Sequence, residues 1–476
     1  MIRPLASLAA AALLAVSSSA SASAADRAPN FVFILVDDLG WADIGCFGSS
    51  FYETPNLDGF AKTATKFTNA YAACPVCSPT RASILTGRYP TRTGVTDYIG
   101  AAQPERWNRK TKMLPAPYAV QLAHEEVTIA EALKASGYAT FFAGKWHLGG
   151  EAFWPESQGF DINKGGIDRG GPYGGKKYFS PYGNPRLDDG PAGEHLPDRL
   201  ASETAKYIAA NKDKPFLAYL SFYSVHTPLI AREDLKEKYQ AKKAKLGLEA
   251  EWGQEGERKV RLVQEHAVYA GMVEAMDLAV GKVLKAVDDA GVADNTVIIF
   301  FSDNGGLSTS EGHPTSNLPL RAGKGWMYEG GIREPMLARW PGVTKPGSVC
   351  DDYLSSVDFY PTLLEIAGVE TPDGPPVDGQ SLVPLLKGES RERGPIFWHY
   401  PHYGNQGGSP SAAVRDGDWK LIEWYEDGRL ELFNLAEDPG EKHDLAKEKP
   451  DLRNALHQKL AEWRKETGAK LPTKKG

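Results

Sequence analysis

The chain has 476 residues, 42% hydrophobic and 24% charged, an ordinary globular composition that excludes a low-complexity or disordered protein. At this length a large core plus a second, smaller domain is expected, because single cores stop growing at roughly 250 to 300 residues. A net charge of -7 gives no footing for nucleic-acid binding, so any cationic site for an acidic ligand has to be local.

Residues 1–25 carry Arg3, an apolar run and the small-residue end Ala22-Ser23-Ala24, the pattern of a secretory signal peptide with its cleavage site. The apolar run is too short to span a bilayer and no other segment is long enough. The sequence therefore predicts an exported protein, periplasmic or extracellular, with no membrane span. The four cysteines are Cys46, Cys74, Cys77 and Cys350, and no disulfide pairing among them follows from spacing.

The first strand is predicted over 31–36, FVFILV, a continuous apolar run of the kind covered on both faces of a sheet. It runs into Asp37 and Asp38, adjacent carboxylates that repel each other unless a cation lies between them. Next comes Cys77-Ser78-Pro79-Thr80-Arg81, within AACPVCSPTRASILTG, which sets a small nucleophile beside a guanidinium. Pro79 restricts the backbone there, and 82–86 reads as a short helix whose N-terminus attracts anions.

Thr128 to Glu131 fits a helical capping box with Gly137 as the stop. The strand that follows, 138–143, delivers Lys145 and His147. The glycine- and proline-rich stretch 148–199 reads as an insertion that shapes a substrate site, or as a plain surface loop. A strand over 216–222 delivers His226. Residues 232–261 are mostly charged and read as a solvated helical excursion, while 263–290 has the apolar spacing of a core helix. A strand over 295–301 ends in Asp303 and Asn304, and the loop 318–335 brings Arg321, Lys324 and Arg333. The segment 356–367 reads as a strand or helix closing the first domain.

Helices alternating with apolar strands predict an α/β fold: a large domain with a mostly parallel central sheet flanked by helices, residues 26–385. Ligands of such sheets bind beyond the carboxyl ends of the strands, where the reactive residues fall. Three carboxylates and an amide oxygen form a hard-oxygen set, suited to calcium or magnesium rather than zinc. Residues 386–476 read as a small C-terminal α+β domain, with short alternating strands joined by Asp416-Gly417 and Asp427-Gly428 and a final helix after Pro450. His399 and His402, in WHYPHY, suit sugar rings and sulfate or hydroxyl groups. The same run also reads as a strand edge packed on the first domain.

C-x-P-x-R followed by A-S-x-L-T-G resembles the formylglycine-dependent, type I sulfatases of the alkaline phosphatase superfamily, and the remaining motifs appear in that family's order from Asp37 to about Asn434. The resemblance implies hydrolysis of sulfate esters through a covalent sulfoenzyme. It implies that Cys77 is converted by a formylglycine-generating enzyme to 3-oxoalanine (formylglycine), that Asp37, Asp38, Asp303 and Asn304 bind one Ca2+, with Mg2+ the lesser choice, and that Arg81, Lys145, His147, His226 and Lys324 complete the site. None of these positions departs from the family pattern. Three aspartates and a divalent cation sum to about -1, so Arg81, Lys145 and Lys324 make the pocket suited to an anion. In an exported bacterial protein the resemblance further suggests sulfated carbohydrates as substrates. The alternatives are a phosphodiesterase or phosphonate monoester hydrolase of the same superfamily, or a noncatalytic glycan-binding protein if Cys77 stays a thiol.

Overall fold

The computed structural model describes residues 27–475, so the signal-peptide reading lies outside the described residues. The run FVFILV lies within a strand, β1 (Asn30–Val36), buried along its whole length. Its neighbours in the chain order of one nine-stranded sheet are β2 (Thr65–Tyr71), β3 (Ala139–Gly144), β4 (Ile162–Lys164), β5 (Phe216–Ser221), β6 (Thr296–Ser302), β7 (Arg333–Arg339), β8 (Val349–Cys350) and β9 (Leu354–Ser355). Across the sheet they lie in the order β8-β2-β7-β6-β1-β5-β3-β4, with β9 beside β2.

β1 pairs in parallel with β5 and β6, and β3 with β5 and β4. β7 alone runs the other way, between β6 and β2. The ends of β1, β2, β3, β5 and β6 and the beginning of β7 therefore share one edge of the sheet.

Alternate residues of β1 serve the two faces, as strand geometry requires. Val32, Ile34 and Val36 pack with the helices Leu196–Asn211 and Ala267–Asp289, while Phe31, Phe33 and Leu35 pack with the helices Cys77–Thr86, Ile129–Ala135 and Phe359–Ala367. The capping box expected at Thr128 is present in full, with the Thr128 hydroxyl accepting from the Glu131 amide and the Glu131 carboxylate accepting from the Thr128 amide.

Two local expectations change and a third is resolved to one of its alternatives. The helix read at 82–86 begins at Cys77, because Pro79 falls in its first turn, where a missing N–H has no intrahelical partner to lose. The charged stretch 232–261 forms a helix, Glu233–Leu246, and then an antiparallel hairpin of Trp252–Glu255 with Arg258–Arg261. The segment 356–367 is helical.

A second, antiparallel sheet is formed by β10 (Ile396–Tyr400), β11 (Ser411–Asp416), β12 (Trp419–Trp424) and β13 (Arg429–Asn434), in that order. The helix Pro450–Glu466 covers it, burying Leu456, Leu460 and Trp463. Its other face is not free: Trp398, Tyr400, Ile422 and Phe433 share one apolar cluster with Tyr71, Trp326, Met327 and Ile332 of the larger unit.

Candidate active site

Each strand end at the common edge hands a side chain to one place. β1 supplies Asp37 and Asp38, β6 supplies Asp303 and Asn304, β3 supplies Lys145 and His147, β5 leads to His226, and β2 leads to the helix that starts at Cys77. Lys324 comes from the loop before β7. Gly144, at φ +101, lets β3 turn this close to β5, since a Cβ there would collide with the Ser221 carbonyl oxygen. Asp38 and His147 hold φ values of 62° and 58°, in the left-handed region that non-glycine residues seldom occupy outside functional sites.

Arg81 locks the helix that begins at Cys77 to the acidic floor. Its Nε donates to Asp303 Oδ2 at 2.9 Å, and its Nη1 donates to the Lys145 carbonyl at 2.8 Å and to Ser221 Oγ at 2.6 Å. Lys145 Nζ lies 2.7 Å from Asp37 Oδ2, and Lys324 Nζ lies 2.6 Å from Asp38 Oδ1. Above these groups is a cavity of about 360 Å³, lined by Cys77, His147, His226 and Lys324 and walled by Tyr98, Ile99, Gly170, Tyr173, Thr227, Glu311, Asn405 and Gln406.

The hydrogen bonds fix how each imidazole is used. His147 Nε2 is 2.7 Å from the Ile99 carbonyl, so Nε2 carries the proton and Nδ1, buried and without a partner, offers a lone pair. His226 Nδ1 is 2.7 Å from the Thr227 carbonyl, which turns Nε2 toward Asp38 at 3.8 Å. Burial and then Lys145 push His147 well below its ordinary range; burial and then Lys324 push His226 down to about 3. Burial would raise the Asp38 carboxyl, but Lys324, His226 and Lys145 together hold it below the usual range. Asp37 goes the other way: burial outweighs the pull of Lys145 and holds it well above.

Burial also raises the Cys77 thiol, despite Lys145 and Lys324 nearby and its place at a helix N-terminus. As an unmodified thiol it is a poor nucleophile at neutral pH.

The residues fit a hard cation. Asp37 Oδ1, Asp38 Oδ2 and Asn304 Oδ1 are buried oxygens with no hydrogen-bond partner among the described residues, and an Asp303 oxygen lies within 4.8 Å of one of Asp37. Such orphaned acceptors converging in a dry site are what a divalent ion with oxygen ligands satisfies.

His399 and His402, expected to meet substrate, do not line the cavity. His399, 3% exposed, bonds Tyr425 Oη at 2.8 Å and the Lys470 carbonyl at 2.9 Å, and His402, 1% exposed, bonds Thr96 Oγ1 at 2.9 Å. Their aromatic neighbours Trp398 and Tyr400 are packed against the larger unit, so the whole run is enclosed. The cavity walls were missed in the sequence because they are loop residues without a motif. Only Gly170 and Tyr173 carried a signal, through the glycine-rich stretch they belong to. Glu311 could have been sought in the loop after β6.

A sheet edge that gathers an enclosed cysteine, fixed cations and buried carboxylates at one cavity suits an anionic ligand. Residues 29–369 match the family model described as Sulfatase, and 322–466 match that described as N-sulphoglucosamine sulphohydrolase, C-terminal. A sulfatase of Formosa agariphila is 34% identical over 94% of this chain and 91% of its own length, and human arylsulfatase A is 31% identical over 92% and 88%. Among solved structures, Ps i-CgsB superposes with a TM-score of 0.75 at 30% identity, covering 92% of this chain and 93% of that one, and has also been crystallised with k-i-k-neocarrahexaose. The chain belongs to the sulfatase family, and it is a sulfuric ester hydrolase.

Proposed function

We propose that the enzyme releases sulfate from sulfated carbohydrates outside the cytoplasm, using formylglycine formed from Cys77 and one calcium ion held by Asp37, Asp38, Asp303 and Asn304. One observation carries the reading: Cys77, His147, His226 and Lys324 line a single cavity, and Lys324 and the enclosed Lys145 bond the buried carboxylates Asp38 and Asp37, which with Asn304 keep oxygens without a hydrogen-bond partner among the described residues. The crystallised complex of Ps i-CgsB with a neocarrahexaose supports a sulfated sugar as the substrate class.

A hydrated formylglycine supplies two hydroxyls on one carbon, one to attack sulfur and one whose deprotonation lets sulfate leave. A cation held by Asp37, Asp38, Asp303 and Asn304 would supply Lewis-acid polarisation of the sulfate oxygens. The chain's own residues do the rest. Arg81, with its guanidinium fixed by Asp303, Ser221 and the Lys145 carbonyl, holds the start of the helix in register with the floor. Lys145 and Lys324 place two ammonium groups against the sulfate, where developing charge is stabilised by groups that need not reorganise. Lys324 is protonated beside Asp38, which raises it against the effect of burial, and it stands with His226 on the side from which the alcohol departs. His147 Nδ1 accepts the proton of the second hydroxyl, a step of the general-base kind worth about 100- to 10,000-fold.

The test is mass spectrometry of the Cys77 peptide from protein made in its native host, together with turnover of matched sulfate and phosphate esters. The expected outcome is an aldehyde at position 77, a strong preference for sulfate, and no activity in Cys77→Ala. An unmodified thiol in active protein, or full activity in Cys77→Ala, overturns the reading.

A further inference from the structure

The loop 404–408 separates two openings. Asn405 and Gln406 line the active cavity, while Tyr403, Gly404, Gly407 and Gly408 line a cleft of about 840 Å³ on the other side. Six arginines and lysines and only three glutamates line that cleft, in a chain whose net charge is -7. Some of these cations are answered: Arg321 forms a two-pronged pair with Glu255 at 2.8 Å. Arg109, Lys110 and Arg258 have no ion pair among the described residues.

Two of these three are built into place. Arg109 Nη1 and Nη2 donate to the Tyr403 and Gly404 carbonyls at 2.8 and 3.2 Å, and its guanidinium lies 5.1 Å from the Trp107 ring centre. Trp107 in turn stacks on Tyr403 at 5.7 Å. Arg258 reaches the cleft from the hairpin Trp252–Glu255 with Arg258–Arg261, and its stem runs over Gly407, where a Cβ would come within 2.5 Å of Arg258 Cγ. A hairpin and an irregular segment far apart in sequence thus bring uncompensated cations to the wall shared with the active cavity.

We propose that this cleft is a second binding site, one that holds the anionic groups of a polysulfated saccharide chain while a sulfate ester of the same chain occupies the active cavity. The inference rests on the sulfatase reading and extends it from a single ester to a chain. Cations without partners attract such a polyanion in a salt-dependent way, and a chain held in the cleft raises the local concentration of its own ester at the cavity.

The experiment compares kcat/KM for p-nitrophenyl sulfate and for sulfated galactan di- and hexasaccharides bearing the same reactive ester. The proteins are the wild type, the triple variant Arg109→Ala/Lys110→Ala/Arg258→Ala, and the single charge reversal Lys110→Glu, which alters only an exposed side chain. The wild type is expected to favour the hexasaccharide over the disaccharide by about tenfold, with the advantage shrinking toward about 0.3 M salt. The triple variant loses the advantage, Lys110→Glu loses part of it, and p-nitrophenyl sulfate turnover is unchanged in Lys110→Glu.

Equal rates on the two lengths in the wild type, or an undiminished advantage in the variants, overturns the cleft. If no ester is turned over by any protein, the sulfatase reading fails instead. The cleft is then decided by titrating the hexasaccharide directly: affinity about tenfold weaker in the triple variant supports it and equal affinity refutes it. Equal binding of a single-stranded DNA of matched charge also refutes it, since the cleft would then be an unspecific cationic surface.

Discussion

Lys420, on β12 of the small sheet, meets Glu329, four residues before β7 of the large sheet, at 2.9 Å with both side chains fully enclosed. Glu441 joins the same ammonium at 2.9 Å, and Tyr71 Oη donates to Glu329 at 2.6 Å. Glu329 ends the loop that carries Lys324, so the small sheet anchors one wall of the active cavity. Lys420→Met takes the ammonium from two enclosed carboxylates, leaving Glu329 only Arg333 at 3.6 Å and Glu441 no ion pair among the described residues, and is expected to cost about 3 kcal/mol in denaturant unfolding. A loss below about 1 kcal/mol would show that the network is not holding the two sheets together.

Removal of the metal has a defined signature. A chelator is expected to abolish sulfate-ester turnover and to lower the melting temperature, since an ion at 100 times its dissociation constant contributes about 3 kcal/mol to the folded state. In Asp37→Asn/Asp303→Asn the chelator should change neither quantity further. A chelator shift that persists in this variant places the ion elsewhere.

His147→Gln separates the two halves of the reaction. With the lone pair of Nδ1 lost from the cavity, kcat should fall by about 100- to 10,000-fold, while the first equivalent of alcohol still appears rapidly. Rapid-quench measurement reads that burst directly. A slow first turnover without a burst would move His147 to the bond-breaking step.

Acid sensitivity of the fold should come in part from His195. Its ring lies between Tyr178 and Phe179, finds no hydrogen-bond partner among the described residues, and is pushed by burial down to about 4. Between that value and an unfolded value of about 6.5 the unfolded chain binds the extra proton, so stability is lost as pH falls through this window, by roughly 3 kcal/mol at its end. His195→Phe keeps the ring packing and removes the titration. Its unfolding free energy should therefore decline less between neutral pH and pH 4, and exceed that of the wild type by about 1 kcal/mol at neutral pH. An unchanged acid slope would show that His195 is not the group responsible.

The strands that announced themselves are those buried on both faces. β1 and β6 each hold an unbroken apolar run of at least five residues, and β3 and β5 are mostly apolar, because their side chains are buried against the helix layers. β2 and β7 were not read as strands: TKFTNAY and REPMLAR mix polar residues into the run, and Glu334 and Arg333 are enclosed by contacts no local pattern encodes. The reactive residues were legible for the same reason as the strands, since they follow directly on apolar runs or sit in the Cys77 motif. Lys324 follows no such run and could be placed only through resemblance. His399 misled because two histidines among aromatics look alike whether they face solvent or a second sheet. The hairpin at Trp252 has too few apolar residues to show a period: its strands are WGQE and RKVR, a mix of exposed and half-buried positions with only Arg261 enclosed.

Cys77 is 3% exposed, and the helix it begins is buried at every residue and clamped by Arg81 to both β3 and β6. No enzyme could grip a peptide segment in that position without dismantling the centre of the molecule. If Cys77 is converted as proposed, the modifying enzyme would have to reach it while the chain is still extended, and maturation would be a race between modification and folding. Molecules that folded first would keep the thiol.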